Sequence, residues 1–233
     1  LFDRKRHLEA THIEARTMPC VLAVDPHPNK PTAACLLGVD AAGIYHYLAE
    51  FNQKMVPRQF AQWLKKEWLS KYNIVDMVCD SSGNADYTGG EGFKSFIEVL
   101  NSEGVRIRGT TYDEKKDEEF LERIQDALFI AEGKEPRLKI ASYCLGVIKD
   151  IENCAWQPIK NSETYKPKLE ISNRDFLACL KYALAVNLSF DQRNRQVRHT
   201  YTKRSAFMGK KSNLGIIERS WRNSLDDSDG EDW

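Results

Sequence analysis

Three aspartates stand where the apolar patterning of the chain changes. Asp25 closes the run Cys20-Val21-Leu22-Ala23-Val24, Asp80 closes the run from Ile74 to Cys79, and Asp175 opens Phe176-Leu177-Ala178-Cys179-Leu180. A carboxylate that ends a buried strand is costly to desolvate unless it has a partner. Several carboxylates meeting at one point would hold a hard cation such as Mg²⁺ or Mn²⁺. Two such cations activate water and steady the leaving oxygen in phosphodiester cleavage. Each residue also has a plainer reading when taken alone. Asp25-Pro26 and Asp80-Ser81-Ser82-Gly83 are turn sequences, and a carboxylate at a helix start caps free amides and suits the helix dipole. The chemical reading therefore needs elements that bring the three together.

The patterning supplies such elements. Residues 20–25 read as a buried strand, broken at once by Pro26 and Pro28. Two further strand-like runs, Thr32 to Val39 and Ile44 to Phe51, flank the Gly-ended loop Asp40-Ala41-Ala42-Gly43 and predict an antiparallel meander. Pro57 opens an amphipathic helix over 57–72, carrying Phe60, Trp63, Leu64 and Trp68. Strand 74–79 follows, then a helix with Phe93, Phe96, Ile97 and Leu100 that stops at Gly104. Val105-Arg106-Ile107 reads as a fifth strand, 117–131 as a helix and 137–140 as a short strand. Ser142 is read as the cap of a helix holding Leu145, Ile148 and Ile151, and 157–170 as a loop or small hairpin. The last helix runs from Asp175 to Leu188.

Three antiparallel strands followed by alternating helix and strand imply an α/β fold, a mixed sheet with helices on both faces. A ribonuclease H-like sheet of five or slightly more strands, in the order 3-2-1-4-5, fits this succession. Its first and fourth strands are then parallel neighbours, so Asp25 and Asp80 emerge at one carboxyl edge, where open sheets place their sites. Adjacent strands lie roughly 4.8 Å apart, close enough for both carboxylates to share a cation.

Composition narrows the class further. The chain has 233 residues, with 34 Lys+Arg against 34 Asp+Glu, and 42% of it is apolar, enough for a proper core. No apolar run approaches the ~20 residues of a membrane span, and the amino-terminal residues are charged rather than signal-like. The six cysteines show no CxxC spacing and sit mostly in apolar runs, which reads as buried reduced thiols. The five histidines form no HxH or HxxxH pair. Zero net charge says nothing about a local basic groove.

Against this background the chain resembles the nuclease domain of tailed-phage terminase large subunits. Val24-Asp25-Pro26-His27-Pro28-Asn29-Lys30-Pro31 is similar to the first catalytic strand of that domain, and Val78-Cys79-Asp80-Ser81-Ser82-Gly83 to its second acidic motif. Asp175-Phe176-Leu177-Ala178-Cys179-Leu180-Lys181-Tyr182-Ala183 resembles its closing helix, and Ile140 to Trp156 its penultimate one. The resemblance implies an endodeoxyribonuclease with two Mg²⁺ or Mn²⁺ ions, cutting concatemeric double-stranded DNA during packaging in the host cell cytoplasm, with Asp25, Asp80 and Asp175 as catalytic metal ligands. It also implies, for the intact protein, an ATPase motor, a portal protein and a small terminase subunit as partners. Many relatives carry a second acidic residue beside the third aspartate, whereas Arg174 and Phe176 flank Asp175 here. This chain has no GxxxxGK[ST] loop. On this reading 1–18 is a linker from a motor, consistent with a start at Leu1, while 19–190 is the nuclease domain, expected to be a monomer on its own. Residues 191–233 form a basic and then acidic tail.

Several other residues are candidates for DNA contact. His27 and Lys30 follow Asp25, and Lys115 and Lys116 follow the fifth strand at the expected edge of the site. Arg195, Arg198, Lys203 and Arg204 lie in a basic stretch that would contact phosphates. For His27 the alternatives are orienting a metal-bound water or a loop histidine without a role; for the lysines and arginines they are solvated charge runs. Asp86 is a substitute ligand if Asp80 points away. The terminal run Asp226 to Asp232 is too acidic to pack and is a candidate portal contact. The competing functions are a Holliday-junction resolvase or other ribonuclease H-like nuclease, and a non-catalytic portal-docking module.

Overall fold

In the computed structural model, residues 2–10, 17–80, 95–110, 117–153, 156–157, 168–169 and 174–191 are described. Strand β2 (Pro19–Asp25) is buried at every residue, as its unbroken apolar run requires. It pairs antiparallel with β3 (Thr32–Val39), which pairs antiparallel with β4 (Tyr45–Gln53). On its other side β2 pairs parallel with β5 (Asn73–Cys79), and β5 pairs with β6 (Arg108–Gly109). The succession β4-β3-β2-β5-β6 is the expected 3-2-1-4-5 order. Two strands extend it beyond β4: β7 (Leu138–Ala141), parallel to β4, and β1 (Leu8–Glu9), parallel to β7, giving seven strands in all.

Helices cover both faces, and the period-2 alternation of β2 decides which residue meets which layer. Cys20, Leu22 and Val24 pack under α2 (Pro57–Leu64) and α3 (Phe96–Ser102), with Phe51, Phe60 and Trp68. Val21 and Ala23 pack against α4 (Asp117–Leu128), α5 (Leu145–Glu152) and α6 (Asp175–Ala185). Asp25 shares the parity of Val21 and Ala23, so it emerges on the α6 side. α6 is buried nearly all round, from Leu177 to Leu184, which explains its continuous apolar sequence.

One irregularity sets the register. The β2–β5 ladder shifts by one residue between Cys20↔Ile74 and Val21↔Asp76, leaving Val75 as the extra residue. Without that bulge Asp25 would face Cys79. With it, Val24 pairs Cys79 and the next step brings Asp80 opposite Asp25. The Asp80 N–H donates to the Val24 carbonyl at 3.0 Å and locks this step. Bulges recur beside active sites for this kind of re-aiming.

Some expectations are corrected. Val105 and Ile107 are buried anchors, not strand residues. The Asn101 side-chain amide occupies both the N–H and the carbonyl of Ile107, so pairing with β5 starts at Arg108. Helix α2 continues past Leu64 only as a π-helical turn, Lys65–Leu69. Ser142 does not cap α5: its N–H donates to the Glu9 carbonyl, and the cap position belongs to Cys144, whose side chain makes no cap bond. The Glu50 carboxylate serves instead, accepting from Gly146 and Val147 at 2.8 and 3.1 Å. Residues 4–9, read from sequence as linker, form the short helix α1 (Arg4–His7) and β1. Glu9 reaches the buried ring of His46 at 2.9 Å, and Asp40 holds its other nitrogen at 3.2 Å.

The short ladder of β8 (Trp156–Gln157) and β9 (Lys168–Leu169) bears out a small hairpin. The five described cysteines are buried and take part in no disulfide. Residues 1–191 form one compact unit, and the second, 192–233, lies outside the described residues. Among the described residues no helix is long and apolar enough to cross a membrane.

Candidate metal centre

Asp25, His27 and Asp175 each place one ligand atom within 4.8 Å of the others. Asp25 comes from the buried end of β2, and Asp175 from the first turn of α6, whose amino end faces that strand end. His27 joins them because of local chain stiffness. In Asp25-Pro26-His27-Pro28 each proline fixes its own φ and pushes the preceding residue towards extended backbone. Residues i and i+2 of an extended segment point the same way, so Asp25 and His27 converge. The His27 Nε2 lies 3.4 Å from Asp25 Oδ2 and 3.5 Å from Asp175 Oδ1. It is buried yet makes no hydrogen bond.

Asp80 stands beside this group, close enough for its charge to act on Asp25. Its carboxylate accepts the hydroxyl of Tyr182, seven residues beyond Asp175 and so on the same face of α6. Burial raises the Tyr182 hydroxyl far above its usual range, and the negative charges of Asp25 and Asp80 add to this, so it stays a donor. Lys181 is 6% exposed, with Nζ 5.1 Å from the centre of the Tyr182 ring. Asp25, only 7% exposed, has its carboxyl pushed up to about 6. Burial is the main cause; His27 and Lys181 pull it down, while Asp80 and Asp175 push it up.

Asp175 is free to face this cluster because another residue caps its helix. The cap position of α6 is Arg174, whose side chain makes no cap bond. Asp150, near the end of α5, accepts from the N–H groups of Phe176 and Leu177 at 3.2 and 3.3 Å. The Arg174 guanidinium in turn donates to the Asp150 carbonyl at 2.9 Å. Helices α5 and α6 meet at Gly146, where an added Cβ would run into the ring of Phe176. A chain of supports thus runs from Glu50 on β4 through α5 to Asp150 and then to Asp175.

The donor set fits a divalent ion: carboxylates of unequal burial around an orphaned buried nitrogen, with like charges in need of a counter-ion. No family model matches the chain, and no curated protein matches it by sequence. Its structure does have counterparts. The nuclease domain of the bacteriophage SPP1 large terminase, solved with bound Mn, superimposes with a TM-score of 0.59 at 19% identity, over 78% of this chain and 96% of that one. The nuclease domain of the bacteriophage P22 large terminase gives 0.62 at 14% identity, over 84% and 95%. The chain has the fold of a terminase nuclease domain. The large terminase of a thermophilic bacteriophage gives 0.59 at 15% identity, covering 80% of this chain but 44% of that longer one.

Within this terminase nuclease fold, the three sequence-predicted aspartates lie at one edge of the sheet. Lys30 is exposed on the loop after β2. His27, read from sequence as a contact to a phosphate or to a metal-bound water, has its Nε2 towards Asp25 and Asp175. Lys115, Lys116, Arg195, Arg198, Lys203 and Arg204, like Asp86, lie outside the described residues. The sequence reading missed Asp150 and the two helix residues Lys181 and Tyr182. Tyr182 was findable from its i+7 spacing to Asp175; Asp150 carried no such signal.

Proposed function

We propose that the chain is the metal-dependent endonuclease domain of a phage DNA-packaging terminase, cutting double-stranded concatemeric DNA. The observation that carries this reading is the placing of Asp25, Asp80 and Asp175 at the carboxyl edge of β2 and β5, in a fold shared with terminase nuclease domains. Asp25, Asp80 and Asp175 would hold two Mg²⁺ or Mn²⁺ ions. When bound, such ions lower the pKa of water and offset charge on a phosphodiester.

The chain's own residues set up that exchange. Three carboxylates repel a phosphodiester at close range, so the site stays closed to DNA until cations reverse its sign. Tyr182 holds Asp80 by its hydroxyl, and Asp150 holds the first turn of α6, so the ligands need little rearrangement. Lys181 offsets part of the negative charge on Asp25. Lys30, Lys115 and Lys116, with the basic stretch around Arg195, Arg198, Lys203 and Arg204, would contact the DNA backbone. In an intact protein this domain would work beside an ATPase motor, a portal and a small subunit in the host cytoplasm.

Digestion of supercoiled plasmid tests the reading. The chain is expected to nick and linearise plasmid in Mn²⁺ and to stop on addition of EDTA. Asp80→Asn is expected to lower the rate at least ~100-fold, the loss of several kcal/mol of transition-state stabilisation. Cutting indifferent to EDTA and to Asp80→Asn would contradict it. Preferential cutting of four-way junctions would point to a resolvase, and no cutting at all to a docking module.

A further inference from the structure

We infer that His27 supplies a nitrogen ligand to the ion held by Asp25 and Asp175, and so makes this site favour Mn²⁺ over Mg²⁺. The inference rests on the metal-dependent reading above and adds a ligand and a selectivity to it. Its first ground is distance. The Nε2 separations of 3.4 and 3.5 Å from the two carboxylate oxygens are too long for well-formed hydrogen bonds, which fall at ~2.7–3.2 Å. They match the ~3.0–3.5 Å between neighbouring donors that surround one ion with bonds of ~2.0–2.2 Å.

The second ground is access. Nε2 is buried without a hydrogen bond, so it faces the carboxylates rather than the surface where a phosphate backbone would pass. A histidine kept for DNA contact would show that atom to solvent. The third ground is stiffness. His27 sits between Pro26 and Pro28, which restrict the backbone on either side of it and keep its Cα in place beside Asp25.

The selectivity follows from the donor set. Mg²⁺ dehydrates reluctantly and is held through oxygen, whereas Mn²⁺, although it too takes carboxylates, is a transition ion that accepts an imidazole nitrogen more readily than Mg²⁺ does. A set of two carboxylates and one imidazole therefore tips the balance toward Mn²⁺.

Pulsed electron paramagnetic resonance of Mn²⁺ bound to the full chain reads the ligand without any DNA. The expected result is a ¹⁴N coupling in the wild-type spectrum that disappears in His27→Ala and in His27→Asp. Titration of Mn²⁺ and Mg²⁺ should show His27→Ala weakening Mn²⁺ at least ~10-fold, the floor set by outer-shell partners, with a smaller effect on Mg²⁺. His27→Asp, which keeps a donor in place, should bind both ions with the Mn²⁺ preference reduced. Bound Mn²⁺ with no nitrogen coupling, or a coupling that survives both substitutions, would overturn the role of His27 and leave the nuclease reading standing. Failure of the wild-type chain to bind Mn²⁺ at all would remove both.

Discussion

Asp25→Asn is expected to lower plasmid cleavage in Mn²⁺ on the order of 10³-fold or more, while the metal-free protein melts at a higher temperature than wild type above pH 6. The loss follows from removing the most buried carboxylate of the proposed ligand set, since a bound cation stabilises the transition state by several kcal/mol. The gain follows from burial. The Asp25 carboxyl is raised from an ordinary 3.8 to about 6, chiefly by desolvation and further by Asp80 and Asp175. A carboxyl whose folded value lies above its unfolded value makes the fold more stable when protonated. The resulting destabilisation is absent at pH values below the unfolded value, grows between the two values and is complete above the folded one. Its size is on the order of 1–3 kcal/mol, and an uncharged amide escapes it. Thermal melts in EDTA should show the variant's advantage in full at pH 8, reduced to about half at pH 5 and lost only below about pH 4. A variant that melts lower at both, or that still cuts, would contradict this assignment. Stability given up at a cluster of like charges is what a binding site waiting for cations entails.

Asp150→Ala is expected to cost about 0.5–2 kcal/mol of stability, the usual loss on removing a helix cap, and to lower both Mn²⁺ affinity and cleavage ~10–100-fold. The carboxylate satisfies two amides at the start of α6, Phe176 and Leu177, immediately after Asp175. Once those amides are unheld, the first turn frays and Asp175 leaves its place near His27. Burial raises the Asp150 carboxyl, against the pull of its two amide donors, so its position is maintained at some cost. Asp150→Asn retains an accepting oxygen and is expected to recover most of the affinity. A residue that merely supported the fold would lower stability in both variants with Mn²⁺ affinity unchanged. Calorimetric titration of Mn²⁺ beside denaturant melts separates the two cases.

The part of the fold that carries the site was legible because it depends on local pattern. A wholly apolar run ending on Asp25, a hairpin loop ending on Gly43 and a second run ending on Asp80 specify β2, β3, β4 and β5, and strand parity follows from them. Helix α6 was legible for the same reason. What escaped were relations between residues distant in the chain. The extra residue at Val75, which aligns Asp80 with Asp25, leaves no mark in β-propensity. The caps of α5 and α6 come from Glu50 and Asp150, each on a different element, so reading Ser142 and Asp175 as their own caps followed sequence proximity rather than space. Strand β6 shifted because Asn101 competes for the backbone of Ile107. β1 joined the sheet although its two residues, Leu8 and Glu9, lack any strand pattern. The place of His27 was written in the sequence, as an i+2 spacing from Asp25 between two prolines, but it is intelligible only once Asp175 is known to lie opposite.

Crystals of the full chain soaked in Mn²⁺ and measured at the manganese absorption edge decide whether these carboxylates form one centre. An anomalous peak with oxygen atoms of Asp25 and Asp175 within ~2.0–2.6 Å, and Asp80 reaching the same or an adjoining peak, is the expected result. Anomalous density confined to other surfaces, with the three carboxylates turned away from one another, would contradict it.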